Sequence, residues 1–249
     1  MTPTTLHYYI GGIVVAIVAT VVFCRIARVD HDGKGVTIAR FLSILLLAKG
    51  LLWFYTIFTD GPWRPSYGLP LYLCDIAVFV AAAACWWRTQ LLVEVLYFWA
   101  LAGVIEGIIT PDLPRTLPNL LVFQYTLGHL AVVVAAIYLV VGLQIVPNRF
   151  AVVKVYIITV FYTAFTAFVD WSTGGNYMFL RRRPHSWSIL NLFGPWPWYI
   201  AIAGLVALVF FLALNLPFWF IRAHERQTIP SASTTEVGRG YPLDESQET

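Results

Sequence analysis

The sequence predicts an all-α, polytopic membrane protein with seven transmembrane helices. Hydrophobic residues make up 59% of the 249 residues and charged residues only 12%, whereas a soluble domain carries roughly 25% charged residues. The apolar residues gather in seven runs, each close to the length of about 20 residues that crosses a bilayer as a helix. The formal net charge of +3 comes from loops and tail, so it bears on membrane topology and gives no reason to expect nucleic acid as a partner.

Turn-forming residues separate the seven runs. The runs cover residues 7–24, 38–58, 69–87, 91–110, 119–143, 150–170 and 198–221. The second ends in a Gly/Pro turn at 59–65, the fourth ends at Pro111, and Pro147 turns the chain before the sixth. Residues 171–197 are too irregular for a lipid-exposed span, so we expect an interfacial or partly re-entrant segment there.

The domain prediction is one membrane domain, 1–221, followed by a polar, disordered cytoplasmic tail, 222–249. With seven spans, ten Lys and Arg residues fall on the side of the C-terminus and five on the other side. Because basic residues favour the cytoplasmic side, the N-terminus is predicted outside and the C-terminus inside. The predicted location is a cell membrane, with membrane lipids as partners. The sequence leaves the oligomeric state open.

Ionisable residues inside the runs are the candidate functional residues, because a charge at this depth is costly and needs a partner. Cys74 and Asp75 stand near the outer end of the third run, Glu106 near the outer end of the fourth and His129 in the fifth. Lys49 lies mid-helix, so we expect a buried acidic partner, either Asp75 or Glu106. These positions predict an outward-opening polar cavity.

The inner half of the predicted bundle holds fewer ionisable groups. Glu94, Arg88 and Lys154 lie near loop ends, where snorkelling to the interface would satisfy them. No HxxxH or His/Cys cluster occurs, so neither a metal site nor a cofactor is predicted. The three cysteines give no disulfide framework.

Cysteine and histidine together are the minimum for covalent acyl transfer. A thiol becomes a nucleophile as the thiolate, and a nearby histidine accepts its proton. Cys74 and His129 are the candidate pair, with Asp75 or Glu106 to orient the imidazole. Asn176, Tyr177 or a backbone N–H is the candidate oxyanion donor. The Arg181, Arg182 and Arg183 triplet is either a lipid headgroup anchor or a site for a substrate phosphate.

The order of several motifs resembles that of the YwaF family of bacterial integral membrane proteins, over about residues 40–221. The motifs are Leu69-Pro70-Leu71-Tyr72-Leu73-Cys74-Asp75, Thr110-Pro111-Asp112, Gly128-His129, Gly175-Asn176-Tyr177-Met178-Phe179-Leu180 and Gly194-Pro195-Trp196-Pro197-Trp198-Tyr199. This family is similar to a eukaryotic membrane acyltransferase of ether-phospholipid metabolism, and more distantly to androgen-induced multi-pass lipid hydrolases with a Thr nucleophile and a His. The resemblance implies Cys74 and His129 as the catalytic pair.

Two functions from different classes remain open at this point. The first is a lipid acyltransferase or thiol-dependent lipid hydrolase that uses Cys74 and His129. The second is a non-enzymatic transporter or binder of protons or a polar solute, which would use the intramembrane acids, Lys49 and His129. A transporter needs a polar path across the whole bilayer, and the inner half of this chain offers few ionisable residues.

Overall fold

A computed structural model describes residues 3–30, 32–59, 61–109, 120–184 and 188–228. Its helices are α1 (Pro3–Val29), α2 (Lys34–Thr59), α3 (Leu73–Trp87), α4 (Gln90–Trp99 continued by a π-helical turn Ala100–Val104 and by Ile105–Ile109), α5 (Leu120–Ile137 with π-helical Tyr138–Gly142), α6 (Ala151–Thr173) and α7 (Trp198–Thr228). No strand occurs within these residues. The predicted all-α, polytopic class is confirmed.

Six of the described helices are long and apolar enough to cross a membrane, and α3, with 15 residues, is shorter. The predicted third run begins at Leu69, but residues 69–72 are not helical. Pro70 explains the difference, because a proline disfavours helical backbone at the residue before it. At the other end of the chain, α7 continues to Thr228, seven residues beyond the end of the predicted run.

The helices alternate between two ends of the bundle. We call the upper end the one where α2, α4 and α6 finish and α3, α5 and α7 start, and the lower end the opposite one. Each end carries exposed tryptophans, which prefer the headgroup level of a bilayer. They are Trp63, Trp171, Trp196 and Trp198 at the upper end, and Trp86, Trp87 and Trp219 at the lower end. The two groups mark the two membrane interfaces.

Small side chains on α3 let its neighbours approach closely in the lower half of the bundle. Ala81, Ala84 and Cys85 are fully buried there. Small residues are typical of membrane helix interfaces, where close backbone contact replaces the hydrophobic driving force. The core around them is apolar and includes Leu96 and Val132, both with no exposed surface.

The first turn of α3 lies inside the bundle, well below the upper interface. Ser43 Oγ donates a hydrogen bond to Ala82 O at 2.7 Å, and Gly50 faces the ring of Phe79. Since α2 and α3 are antiparallel, the start of α3 is level with about the third-last turn of α2, roughly 10 Å below its end at 1.5 Å per residue. The chain before α3 must therefore descend into the membrane domain.

Tyrosine hydroxyls satisfy the backbone of that descending chain. Tyr177 Oη accepts a hydrogen bond from Leu69 N at 2.9 Å and donates one to Pro65 O at 2.9 Å. Tyr162 Oη donates to Leu71 O at 3.0 Å. Non-helical backbone at membrane depth is tolerated only where protein or a polar cavity supplies such partners.

Helix α4 also ends within the bundle, beside the middle of α5. Tyr125 Oη donates to Gly107 O at 2.8 Å, and Tyr9 Oη of α1 donates to Ile108 O at 2.7 Å. These hydroxyls satisfy two of the terminal carbonyls that a helix leaves without an intrahelical partner. The start of α3 and the end of α4 thus flank the same region of α5.

The expectation that Glu94 reaches the interface by snorkelling is wrong. Its side chain has no exposed surface, and Oε2 lies 2.5 Å from Lys154 Nζ. Oε1 accepts hydrogen bonds from Gln90 Nε2 at 2.9 Å and from Asn148 N at 3.0 Å. The carboxylate is buried because these donors replace water around it.

Residues 171–197 contain no helix of spanning length in their described part. Two short 3₁₀ helices, Tyr177–Phe179 and Ile189–Phe193, follow the end of α6. Asp170 holds the start of this segment, because its Oδ1 accepts a hydrogen bond from Tyr177 N at 2.8 Å. The interfacial location of the segment stays a prediction.

Candidate functional site

Cys74 and Asp75 occupy the first turn of α3, at the depth where that helix begins. The N-cap residue Tyr72 has an extended backbone, and its side chain makes no capping bond. The N–H groups of Asp75 and Ile76 turn back to Tyr72 O, at 3.0 and 3.1 Å. Cys74 and Asp75 are both partly exposed to a water-sized probe, and Cys74 also packs against the apolar core.

Lys49 of α2 stands at the centre of the polar groups in the upper half. Its charge interacts with Cys74 and Asp75 on one side and with His129 on the other. Its side chain lies against Gly128: a Cβ added there would be 2.7 Å from Lys49 Cε and 3.0 Å from Nζ. The predicted proximity of Lys49 to Asp75 is therefore present. Among the described residues, however, ion pairs within 4.0 Å join Lys34 to Asp32 and Lys154 to Glu94, not Lys49 to Asp75.

His129 is buried, with 9% of its surface exposed, and is fixed by its own helix. Its Nδ1 lies 2.8 Å from Tyr125 O, and the two rings stack with centroids 4.0 Å apart. A carbonyl oxygen only accepts, so the hydrogen bond assigns the proton to Nδ1 and leaves the lone pair on Nε2. That nitrogen lies against Gly107, where an added Cβ would be 2.6 Å away. Tyr125 O is thus the backbone partner of Nδ1, and Nε2 can act as a base.

Cys74 and His129, the predicted catalytic pair, both interact with Lys49 but are not bonded to each other. Within the described chain, no hydrogen bond joins Cys74 to His129, and Lys49 interacts with both. Glu106 precedes Gly107 on α4, but its side chain is exposed. Asp75, in contrast, is the acid whose charge acts on Lys49. Cys24 and Cys85 are buried elsewhere and are free thiols, like Cys74.

Asn176 makes its hydrogen bonds within residues 171–197, whereas the Tyr177 hydroxyl bonds to Leu69 and Pro65 in the chain before α3. Asn176 Oδ1 accepts from the N–H groups of Arg181 and Arg182, both at 3.0 Å, and its Nδ2 donates to Arg182 O at 2.9 Å. Burial raises the pKa of Tyr177, although the N–H of Leu69 counteracts this effect. Tyr177 thus stays a neutral hydroxyl. The hydrogen bonds of Asn176 and Tyr177 stabilise the non-helical chain at the upper end.

The arginine triplet divides into two kinds of residue. Arg183 donates to Gly194 O and stacks on the Tyr199 ring at 5.5 Å, so it holds the segment to α7. Arg181 Nη1 donates to Asp170 O at 3.3 Å. The side chains of Arg181 and Arg182 are exposed at the upper end, so these two remain accessible to a headgroup or a phosphate.

Sequence reasoning missed the supporting residues of the site. Tyr125 and Gly107 position His129, and Gly128 makes room for Lys49. The one available signal was that Gly128 directly precedes His129. Asp170 was missed as well: it has no exposed surface, and within the described chain its Oδ2 has no hydrogen-bond partner.

Comparison with known proteins gives one match. The TMEM164 family model matches residues 1–215, which include all seven helices except the end of α7. No curated protein and no solved structure matches the chain. The matched range covers most of the chain and contains Lys49, Cys74, Asp75 and His129. The chain therefore belongs to the TMEM164 family of multi-pass membrane proteins.

Proposed function

We propose that this protein is a membrane-embedded lipid acyltransferase or lipid hydrolase, with Cys74 as nucleophile and His129 as base. The observation that carries the proposal is the position of Cys74 in the first turn of a helix that begins inside the membrane domain, with the charge of Lys49 acting on both Cys74 and His129. Nucleophilic cysteines favour helix N-termini, where the N–H groups and the helix dipole stabilise negative charge.

The tautomer of His129 suits this role. With Nδ1 bonded to Tyr125 O, Nε2 can accept the thiol proton when Cys74 attacks an ester carbonyl. Catalytic hydrogen bonds are often long in an empty site and shorten when substrate binds. The absence of a Cys74–His129 bond therefore fits a site that closes around a lipid.

The surroundings of Cys74 favour an acyl ester over a polar solute. Below it, α3 presents Ala77, Val78 and Ala81 to a close-packed, mainly apolar core, which blocks a polar path to the lower end. Above it, the exposed Arg181 and Arg182 are candidates to hold the lipid phosphate. Polar solute transport would need a second polar layer, and the described lower cluster around Glu94 is closed by its own ion pair with Lys154.

The motif resemblance to the YwaF family and to an ether-phospholipid acyltransferase supports the same activity. It also supports residence in a bacterial plasma membrane, with lipids as the partners. In this setting an acyl donor would enter from the leaflet at the upper end, since Cys74 lies in that half of the bundle.

The proposal is tested by thioester trapping on Cys74. The full chain, reconstituted in liposomes with an isotope-labelled phospholipid, is expected to carry a hydroxylamine-sensitive acyl group on the peptide that contains Cys74. Cys74→Ala should abolish the adduct and the release of lysolipid. Cys85→Ala is the matched control, since Cys85 lies on the same helix and is fully buried, and it should keep both.

Two results would contradict the proposal. One is lysolipid release at the wild-type rate by a folded Cys74→Ala variant. The other is the absence of any acyl adduct on wild-type protein under conditions in which an alkylating reagent still labels Cys74. His129→Gln extends the test, because loss of the base should slow adduct formation by about 10²–10⁴-fold.

A further inference from the structure

The ammonium group of Lys49 has no hydrogen-bond acceptor among the described residues. Within the described chain, no hydrogen bond or ion pair within 4.0 Å involves its ammonium group. Its side chain is only partly exposed, so water cannot fully replace the missing partner. An ammonium has three donors, and leaving them unused at membrane depth is costly.

The position of this cation is defined by two helices. The terminal atoms of Lys49 press against the bare backbone of Gly128, and the residue that follows, His129, is the candidate base. The charge also acts on Cys74 and Asp75 at the start of α3. The ammonium lies beside Gly128, and its charge reaches both the candidate nucleophile and the candidate base, so it can also act on a carbonyl held near them.

Asp75 does not form a direct ion pair with Lys49. Its carboxylate acts on Lys49 electrostatically but does not approach within 4.0 Å. A pair that served only to stabilise the fold would be expected in direct contact, like that between Lys154 and Glu94 at 2.5 Å. The gap leaves the ammonium donors free for a third group that carries negative charge.

We propose that Lys49 is a catalytic residue that stabilises the oxyanion formed when Cys74 attacks an acyl ester. This inference rests on the proposed function. It replaces Asn176 and Tyr177 as the main oxyanion donors, since Asn176 is bonded to Arg182 and the Tyr177 hydroxyl donates to Pro65 O.

The step balances as follows for a phospholipid ester. The Cys74 proton moves to His129 Nε2, and a new S–C bond forms while the carbonyl π electrons move to oxygen. Lys49 stabilises this oxyanion. When the C=O bond re-forms, the ester C–O bond breaks, and the departing lysolipid oxygen takes the proton from His129. A hydroxyl of an acceptor lipid, or water, then attacks the thioester with the same residues in reverse.

Comparing two reactions of the Cys74 sulfur distinguishes stabilisation of an oxyanion by Lys49 from other effects of Lys49. Alkylation by iodoacetamide needs a thiolate but forms no oxyanion, whereas acylation by a p-nitrophenyl ester forms one. Both rates are measured at Cys74 by peptide mapping, with the full chain in liposomes and with Cys24→Ser and Cys85→Ser as background.

The variants are Lys49→Met and Lys49→Arg. Lys34→Met is the matched control, because Lys34 lies on the same helix but is exposed at the lower end.

In Lys49→Met, acylation is expected to fall by about 10²–10³-fold, the usual loss for an oxyanion donor, and alkylation by a clearly smaller factor, because Lys49 also favours the thiolate through its charge. Lys49→Arg keeps the charge and should fall between wild type and Lys49→Met, which covers the case in which the Met variant does not fold. Lys34→Met should match wild type in both rates.

An equal loss of both rates would overturn the inference, since Lys49 would then act on the thiol itself. Unchanged rates in both variants would overturn it too and leave Lys49 a structural residue. If wild-type Cys74 is alkylated but never acylated, the proposed function fails first. That outcome is read from the wild type alone and is distinct from any effect of the Lys49 variants.

Discussion

At the scale of single residues, two glycines decide how the candidate site is built. Gly128 accommodates the end of the Lys49 side chain, and Gly107 accommodates the imidazole edge of His129. A flexible lysine end can move away from an added methyl group at little cost, whereas a stacked imidazole cannot. Gly128 therefore offers a way to displace Lys49 without removing its charge.

Gly128→Ala is expected to leave the fold intact and to slow acylation of Cys74 by about 10²-fold, since misplacing a reacting group by an ångström has this order of effect. The measurement is the rate of thioester formation, together with the thermal unfolding midpoint. Gly204→Ala is the control, because an added Cβ there finds its nearest atom, Tyr156 Oη, at 3.7 Å. Equal acylation rates in the two variants would show that the position of Lys49 does not matter.

At the scale of helices, the buried carboxylate of Glu94 ties α4 to α6 and to the chain between α5 and α6. Lys154 is contributed by α6, and Asn148 lies just before it. Arg222 of α7 reaches the same chain by donating to Pro147 O at 2.7 Å. The lower end is thus held by charge-assisted hydrogen bonds, which are stronger than neutral ones.

Glu94→Gln is expected to lower the free energy of unfolding by about 1–3 kcal/mol, because Lys154 loses its counter-charge in a buried setting. The loss stays below that of a fully buried pair since 37% of the Lys154 side chain is exposed. Asp32→Asn breaks the exposed pair with Lys34 and should cost less than about 1 kcal/mol. Unfolding in detergent micelles measures both, and equal losses would contradict the structural role of Glu94.

At the scale of the whole molecule, the two ends are unlike. The upper half contains the start of α3, with Cys74 in its first turn, whereas the lower half is a close-packed core that contains the buried Glu94. Discontinuous helices at membrane depth often surround binding sites, because their ends offer unpaired backbone groups. The asymmetry predicts that substrate reaches the site from one leaflet only.

The basic residues predict which leaflet this is. By the alternation of the predicted spans, ten of them fall on the side of the C-terminus and five on the other side, so the lower end is expected to face the cytoplasm and the N-terminus the outside. A reporter fused after Thr228, the last described residue of α7, should then read as cytoplasmic. An external reading would place Cys74 on the side of the cytoplasmic leaflet.

Much of this architecture is legible in the sequence, because hydropathy is a local property. The apolar runs predict the helices to within a few residues, and Cys74, Asp75, Lys49 and His129 stand out because ionisable groups in such runs are costly. Their common depth also follows from counting residues along alternating helices. The all-α class needed no information beyond this.

Other structural features depend on which helices pack against each other, and the local sequence does not encode helix packing. The burial of Glu94 required Lys154 and Asn148 from a distant part of the chain. The start of α3 within the bundle depends on hydrogen bonds from Tyr162 and Tyr177, about 100 residues away. The sequence by itself determined the membrane class and the residues worth considering. Only tertiary structure decided that Lys49 lies beside Gly128 and that its charge acts on Cys74 and His129, because side chains on three separate helices approach one another there through packing.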